Sequence, residues 1–262
     1  MIISVFNQKG GVAKTTTTTN LAAGLAMKGK SVLVVDFDPQ ANATNALGID
    51  DEQLDGSVYD LLQELISKKQ PMTQARIKEY IQQTSFGIDI LPSDINLADA
   101  EQTLSSTVSR ELLLHKLLLL AKGDYDYVII DCPPSVGLLS INALAASDRV
   151  LIPLSPSYFS VKGLKQLLRT YGMIRDNIKP DLEIMGVLVT KYDQRITKHK
   201  EIREQLESLP AFEGRVFKTA IRVNAEIEYA QDSQQPITAY NTKCNGYDDY
   251  MSLTKEVLNY GN

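Results

Sequence analysis

The chain has 262 residues, of which 44% are hydrophobic, so it is long enough and apolar enough to bury a core. Its 27 basic and 32 acidic residues give a formal net charge of −5, which confines any nucleic-acid contact to a local patch. Two cysteines, Cys132 and Cys244, are too few for a disulfide framework and form no CxxC pair. The sequence shows no signal peptide and no apolar run of the roughly 20 residues that a membrane-spanning helix needs. We therefore expect a cytoplasmic protein.

Short apolar runs alternate with segments of helical periodicity along most of the chain. Five runs predict strands that are buried on both faces: Ile2–Phe6, Ser31–Asp36, Tyr127–Asp131, Arg149–Pro153 and Ile184–Val189. Seven segments predict helices: Thr15–Met27, Ser57–Ile66, Ser109–Ala121, Leu138–Ala146, Val161–Asn177, Thr197–Leu209 and Tyr247–Leu258. The polar segment Lys68–Ser85 is expected to be a loop or insertion near the sheet edge. The alternation predicts one α/β domain over residues 1–262, with a mostly parallel twisted sheet between two layers of helices.

The stretch between the first predicted strand and the first predicted helix is rich in glycine and lysine. Residues 7–16 read NQKGGVAKTT. Glycines allow successive backbone N–H groups to converge on an anion, and the start of the following helix adds partial positive charge. We expect Lys14 to reach the β- and γ-phosphates of a nucleotide and the Thr15 hydroxyl to coordinate Mg²⁺. The pattern GxxxxGK[ST] is not met, because Gln8 and Ala13 occupy its two glycine positions.

Four motifs occur in order along the chain: NQKGGVAKTT, VLVVDFDPQAN, YVIIDCPPSVG and GVLVTKYD. Together they resemble the deviant Walker A ATPases of the ParA/MinD family, and specifically the ParA/Soj-type partition ATPases, almost from end to end. Two departures are Ala13, which is a glycine in most members, and Lys162, where similar proteins usually carry an acid.

The resemblance implies a P-loop NTPase fold and a Mg²⁺-dependent ATPase that converts ATP and water to ADP and phosphate, slowly without an activator. It implies that Lys9 reaches across an ATP-dependent homodimer to the phosphates of the other subunit, whereas Lys14 serves its own nucleotide. The residues expected to cradle the nucleotide phosphates are Gly10, Gly11, Val12, Ala13, Lys14, Thr15 and Thr16.

Three aspartates lie at the ends of two predicted strands. Asp36 and Asp38 stand at the end of the second strand and Asp131 ends the third. Ligands of open α/β sheets bind at the carboxyl ends of strands, so these acids are expected to face the glycine-rich loop. By resemblance, Asp131 is the Walker B acid of the ATP site and holds Mg²⁺ through water. Asp38 is the switch I acid, which belongs to the same metal site and positions the attacking water, and Asp36 supports the site.

Polar residues follow the last predicted strand directly, in the segment Gly186–Asp193. This segment is similar to the base-binding segment of the family, which implies that Thr190 contacts adenine. Between Lys191 and Arg222, eight basic residues stand against five acidic ones, a local charge of +3 that suits weak, salt-dependent binding of DNA phosphates. The resemblance implies nonspecific DNA binding by the ATP dimer and therefore association with the nucleoid. The candidate DNA contacts are Lys198, Lys200, Arg203 and Arg222.

The expected function is a switch in which ATP joins two subunits, the dimer binds DNA, and a ParB-like or other adaptor protein stimulates hydrolysis and release. Such a switch would position or segregate a plasmid, a chromosome or an organelle-like cluster. Two alternatives on the same fold stay open. A MinD-like membrane-surface ATPase would need a basic amphipathic helix, whereas residues 255–262 carry one lysine, so no membrane partner is expected. A metabolic P-loop enzyme would turn over without DNA.

Overall fold

The central feature of the molecule is a single mixed sheet. The computed structural model describes residues 1–68 and 70–260, with the side chains of 158–162 outside the description, and in these ranges it has eight strands. The strands are β1 (Ile2–Val5), β2 (Val32–Asp36), β3 (Gln82–Gln83), β4 (Asp89–Leu91), β5 (Tyr127–Asp131), β6 (Arg149–Leu154), β7 (Glu183–Tyr192) and β8 (Val216–Arg222). Their order is β3-β4-β2-β5-β1-β6-β7-β8. Only β3 runs antiparallel to its neighbour, so the predicted mostly parallel α/β sheet is confirmed.

Helices cover both faces of this sheet. Within the same described ranges the α-helices are α1 (Lys14–Met27), α2 (Asn42–Ala46), α3 (Val58–Ser67), α4 (Gln74–Lys78), α5 (Ala100–Ser105), α6 (Leu113–Ala121), α7 (Leu138–Ala146), α8 (Tyr158–Asn177), α9 (Thr197–Glu207), α10 (Ala225–Asp232), α11 (Ile237–Tyr240) and α12 (Asn245–Asn259). None of the helices described is long and apolar enough to cross a bilayer.

Alternation along the strands divides the buried side chains between two cores. Val35 of β2 packs on one face with residues of α3 and α5–α9, and Val34 packs on the other with residues of α1 and α10–α12. All five residues of β2 and all five of β5 are buried, which is why both strands are continuous apolar runs ending in an aspartate. These two adjacent strands therefore hold Asp36 and Asp131 side by side at the same edge of the sheet.

Some elements differ from the sequence predictions. The segment expected to be a loop at the sheet edge does reach the edge, through β3, but it also contains α4, which Thr73 caps by accepting a hydrogen bond from the Arg76 N–H. Lys69, within that segment, lies outside the described residues. The helix predicted from Ser109 starts at Leu113, because Ser109 adopts a left-handed conformation and a 3-10 turn follows it.

Candidate functional site

A cavity of about 650 Å³ opens at the carboxyl ends of the strands. Residues that follow β1, β2, β5 and β8 line it, together with residues at the ends of β7 and β8, as expected for a ligand site in an open α/β sheet. The predicted site residues that line it are Gly10, Gly11, Ala13, Lys14, Thr15, Thr16, Asp38, Thr190 and Arg222. Val12 and Asp131 are fully buried beside it, and Lys9 lies on the surface nearby.

The loop after β1 is anchored at its start and open in its middle. The Asn7 side chain donates to the Pro153 carbonyl at 2.7 Å and accepts from the Lys9 N–H at 3.0 Å, which fixes where the loop leaves the sheet. A Cβ added to Gly10 or Gly11 would meet no atom within 4 Å, so both glycines face free space. The loop therefore offers an exposed backbone surface on which an anion fits.

Ala13 explains how the loop works without its usual glycine. Its backbone is left-handed, with φ 66° and ψ 38°, a conformation that normally favours glycine and costs an alanine about 1 kcal/mol. The conformation is kept because Ala13 immediately precedes α1 and its carbonyl accepts the Thr17 N–H at 3.0 Å. Lys14 then opens α1, 7% exposed, with its Nζ 3.5 Å from the Lys9 carbonyl. Ala13 thus adopts the left-handed conformation that a glycine would adopt readily.

Thr15 joins this loop to the end of β5. Its hydroxyl donates to Asp131 at 2.6 Å, and the hydroxyl of Thr18, one turn later on α1, donates to the other carboxylate oxygen at 3.2 Å. Burial, and after it the negative charge of Asp36, raises the pKa of Asp131 above its ordinary value of 3.8. A buried carboxylate with two hydroxyl donors and no basic partner in the described hydrogen bonds is a group that a cation would stabilise.

A second set of contacts holds the acids at the end of β2. Asp36 accepts hydrogen bonds from the main chain and hydroxyl of Thr44, both at 2.8 Å, and from the Asp38 N–H at 3.2 Å. Ser93 donates through its hydroxyl to the Asp38 carbonyl at 2.9 Å. Burial raises the pKa of Asp38 above its ordinary value, and the positive charge of Lys14 offsets part of that rise. Thr44 and Ser93 were not predicted from the sequence, because neither belongs to a motif.

The acids do not form a cage for a metal. No group of three or more His, Cys, Asp or Glu side chains suited to a metal ion occurs among residues 1–68 and 70–260. Mg²⁺ bound with a nucleotide is held by one or two carboxylates, water and phosphate oxygens. The side chains that could hold it are those of Thr15 and Asp131, which share a hydrogen bond, and that of Asp38 on the cavity wall.

On the β7 side, Thr190 lines the cavity and contacts the loop after β1. Its side chain is buried, and its hydroxyl donates to the Val12 carbonyl at 3.1 Å. The donor that was predicted to meet a base is therefore already used within the protein. Two further contacts were missed from the sequence: Gln231 of α10 donates to the Thr16 hydroxyl at 3.0 Å, and Asp249 of α12 binds Arg222.

The four candidate DNA residues differ in their exposure and in their partners. Lys198 and Lys200 are exposed near the start of α9. Arg203 instead turns towards β8 and donates to the Lys218 carbonyl at 2.9 Å, and Arg222 lies on the cavity wall. The side chain of Lys162 belongs to residues 158–162 and lies outside the described part of the chain.

The chain is similar to known proteins over its full length. A family model described as an AAA domain matches residues 1–184. The sporulation initiation inhibitor protein Soj of Bacillus subtilis is 42% identical over 261 residues, which cover 99% of each chain. The chromosome partitioning protein ParA of Caulobacter vibrioides is 36% identical over 259 residues, covering 98% of this chain and 93% of that one. A solved structure of cobyrinic acid a,c-diamide synthase from Mycobacterium smegmatis, with bound ATP analog and magnesium, matches with a TM-score of 0.82 at 32% identity, covering 99% and 95% of the two chains.

Proposed function

The chain belongs to the family of the Soj and ParA partition ATPases, and from that premise we propose that it is a Mg²⁺-dependent ATPase that acts as a dimerisation switch. The observation that carries the proposal is the 2.6 Å hydrogen bond between Thr15 and Asp131, which joins the phosphate loop to the buried acid of β5 beside the cavity. Lys14 and Asp38 line the same cavity, so an ammonium group, a carboxylate and the backbone of the loop after β1 face one space.

Each side chain has a role that its position supports. The backbone from Gly10 to Thr16 and the Lys14 ammonium bind the phosphates of ATP. Asp38 accepts a proton from, or orients, the attacking water, and Asp36 holds it there through the Asp38 N–H. Mg²⁺, when bound, neutralises phosphate charge and orients the phosphoryl oxygens. The bound ATP analog and magnesium in the similar M. smegmatis structure support this choice of ligands.

Dimerisation is proposed from the position of Lys9. Its side chain is exposed and its Nζ donates to the Ser157 hydroxyl at 3.1 Å, beside the cavity rather than among the residues that line it. In a face-to-face dimer the flexible lysine stem lets Nζ leave Ser157 and contact the phosphates held by the other subunit. The second subunit thus completes each site, and turnover is slow until an adaptor protein stabilises the closed arrangement.

The dimer is proposed to bind DNA without sequence preference and to position a cargo. The exposed basic residues between 191 and 222, doubled in a dimer, support phosphate contacts that weaken with salt. Lys198 and Lys200 are the exposed candidates. Hydrolysis stimulated by a ParB-like or other adaptor would release the dimer, which makes nucleotide state and DNA association interdependent.

The test is retention of the purified chain on DNA fragments of unrelated sequence, with Mg²⁺ and either ADP or a non-hydrolysable ATP analogue. We expect retention with the analogue only, falling steeply as salt rises from about 50 to 200 mM. Retention that is equal with ADP, or insensitive to salt, would argue against the switch.

A metabolic enzyme on the same fold is the second candidate. The specific observation in its favour is the match to cobyrinic acid a,c-diamide synthase at a TM-score of 0.82 and 32% identity. Such an enzyme should consume ATP in step with amidation of a carboxylate substrate and ignore DNA. ATP turnover that rises with a carboxylate and an amine donor, and not with DNA, would favour this candidate over the switch.

A further inference from the structure

The cavity wall on the β8 side is fixed by an ion pair between Arg222 and Asp249. Asp249 of α12 is 7% exposed and accepts bonds from three nitrogens of Arg222: the main-chain N–H at 2.9 Å, Nε at 3.0 Å and an Nη at 2.7 Å. A carboxylate that binds both the backbone and the guanidinium of one residue fixes its main chain as well as its side chain. Since Arg222 lines the cavity, Asp249 of α12 fixes the position of this part of the cavity wall.

The next residue of α12 contacts the phosphate side of the same cavity. Tyr250 has no exposed surface and lines the cavity, and its hydroxyl lies beside Thr17 of α1, the helix that follows the phosphate loop. Helices α1 and α12 pack closely. A Cβ added to Gly24 of α1 would come 2.1 Å from the Thr254 hydroxyl oxygen of α12, so there is no room for a side chain there. Two consecutive residues of α12 therefore contact the two sides of the cavity.

Arg222 lies in the part of the cavity that remains once the loop after β1 is assigned to the phosphates. Arg222 ends β8 and is in register with Tyr192 at the end of β7, and the Val223 N–H donates to the Tyr192 carbonyl at 3.2 Å. The loop after β1 takes the phosphates in the function proposed above. The lining that remains, which includes the ends of β7 and β8, is left for the sugar and the base.

We propose that Asp249 is a positioning residue for the nucleoside of ATP: by holding Arg222 it sets the wall against which the sugar and base bind. The inference rests on the proposed binding of ATP. Without its carboxylate partner, the Arg222 side chain gains rotamer freedom and the end of β8 loses an acceptor for its main-chain N–H. Contacts to the nucleoside are then lost, whereas contacts from the phosphate loop are not.

The test compares two ligands on the full chain with Mg²⁺: a non-hydrolysable ATP analogue and inorganic tripolyphosphate, which has no nucleoside. Both dissociation constants are measured for the wild type, D249N and the matched control D248N. Asp248 is the exposed neighbour of Asp249 and makes no described hydrogen bond to Arg222, so D248N removes the same charge without removing the pair. R222K is the second variant, because lysine keeps the charge and cannot form the two-pronged contact.

We expect D249N and R222K to weaken binding of the ATP analogue about tenfold relative to binding of tripolyphosphate. D248N should leave the relative affinity for the two ligands unchanged. The deciding quantity is the dissociation constant of the ATP analogue divided by that of tripolyphosphate. A rise of this ratio by fivefold or more in D249N or R222K supports the assignment, and any smaller change in both variants overturns it. The melting temperature without ligand is recorded in parallel. If the ion pair were purely structural, its loss would lower the melting temperature and leave the ratio of the two dissociation constants unchanged. A wild type that binds neither ligand would refute the proposed function instead.

Discussion

The Thr15 hydroxyl lies 2.6 Å from the Asp131 carboxylate, although 116 residues separate them in the chain. The contact exists because β1 and β5 are adjacent parallel strands, with Val5 paired to Asp131. The loop that leaves β1 and the acid that ends β5 are therefore neighbours at one edge of the sheet. This adjacency brings the proposed phosphate loop and the buried carboxylate together.

Replacing Asp131 with Asn should stabilise the protein in the absence of nucleotide, and more so at higher pH. Burial raises the pKa of Asp131, so the folded state holds its proton more tightly than the unfolded state. The contribution of Asp131 to the free energy of unfolding is therefore greatest at low pH and is lost as the pH rises towards the pKa of the folded state. The amide of D131N does not ionise, and the two threonine hydroxyls can accept from it as well as donate to it. The melting temperature of D131N should exceed that of the wild type at pH 8 by several degrees, with a smaller gap at pH 5.

D126N is the matched control for that experiment. Asp126 has a lowered pKa because the Ser31 N–H and hydroxyl donate to it, so its contribution has the opposite sign. D126N should be less stable than the wild type at pH 8 and approach it as the pH falls. If D131N melts below the wild type at pH 8, the proposed electrostatic cost of the buried acid is wrong.

Replacing Asp38 with Ala should separate binding from hydrolysis. Asp38 lines the cavity and is 6% exposed, and its only described side-chain hydrogen bond is to the Gln40 N–H at 3.0 Å. Loss of a positioned proton acceptor lowers turnover by about a hundredfold or more. We expect D38A to bind the ATP analogue within threefold of the wild type and to accumulate as the ATP dimer. D181A, at an exposed acid near the opposite end of the sheet, should hydrolyse ATP normally. D38A that fails to bind nucleotide would remove Asp38 from its assigned role.

Replacing Thr190 with Val should loosen the phosphate loop. The substitution keeps the shape of the buried side chain and deletes the donor to the Val12 carbonyl, which costs about 1–2 kcal/mol of unfolding free energy. In a chain of this size that lowers the melting temperature by about 2–4 °C for each kcal/mol. T190S retains the hydroxyl and should keep most of the stability. Equal melting temperatures for T190V and T190S would contradict the importance of this bond.

Lysine and arginine variants in the segment between β7 and α10 should behave differently. Lys198 and Lys200 are exposed, so K198A/K200A is expected to weaken DNA retention and leave the melting temperature within about 1 °C. Arg203 donates to the Lys218 carbonyl and pairs with Glu207, so R203A should lower the melting temperature. A double lysine variant that binds DNA as tightly as the wild type would move the DNA surface elsewhere.

Strands β2 and β5 and the loop after β1 could be predicted because their signals are local. β2 and β5 are buried at every position, so the sequence itself shows continuous apolar runs that end in acids. The loop is defined by glycines and lysines within ten residues. Ala13 was visible as a departure, but only its φ of 66° shows that the loop is left-handed there.

The missed features depend on partners that are distant in sequence or on partial burial. β8 is an edge strand in which only Phe217 and Ile221 are buried, so it has no continuous apolar run. Asp249 binds Arg222 across 27 residues, and no motif links the two. The charge count between residues 191 and 222 treated Arg222 as available for DNA, whereas its guanidinium is held by a carboxylate on the cavity wall.

The most direct test of the dimerisation switch is light scattering of the purified chain with Mg²⁺ and a saturating non-hydrolysable ATP analogue. We predict a particle of twice the single-chain mass, which reverts to the single-chain mass with ADP or when Lys9 is replaced with Ala. A wild-type chain that stays at the single-chain mass with the analogue bound would contradict the switch.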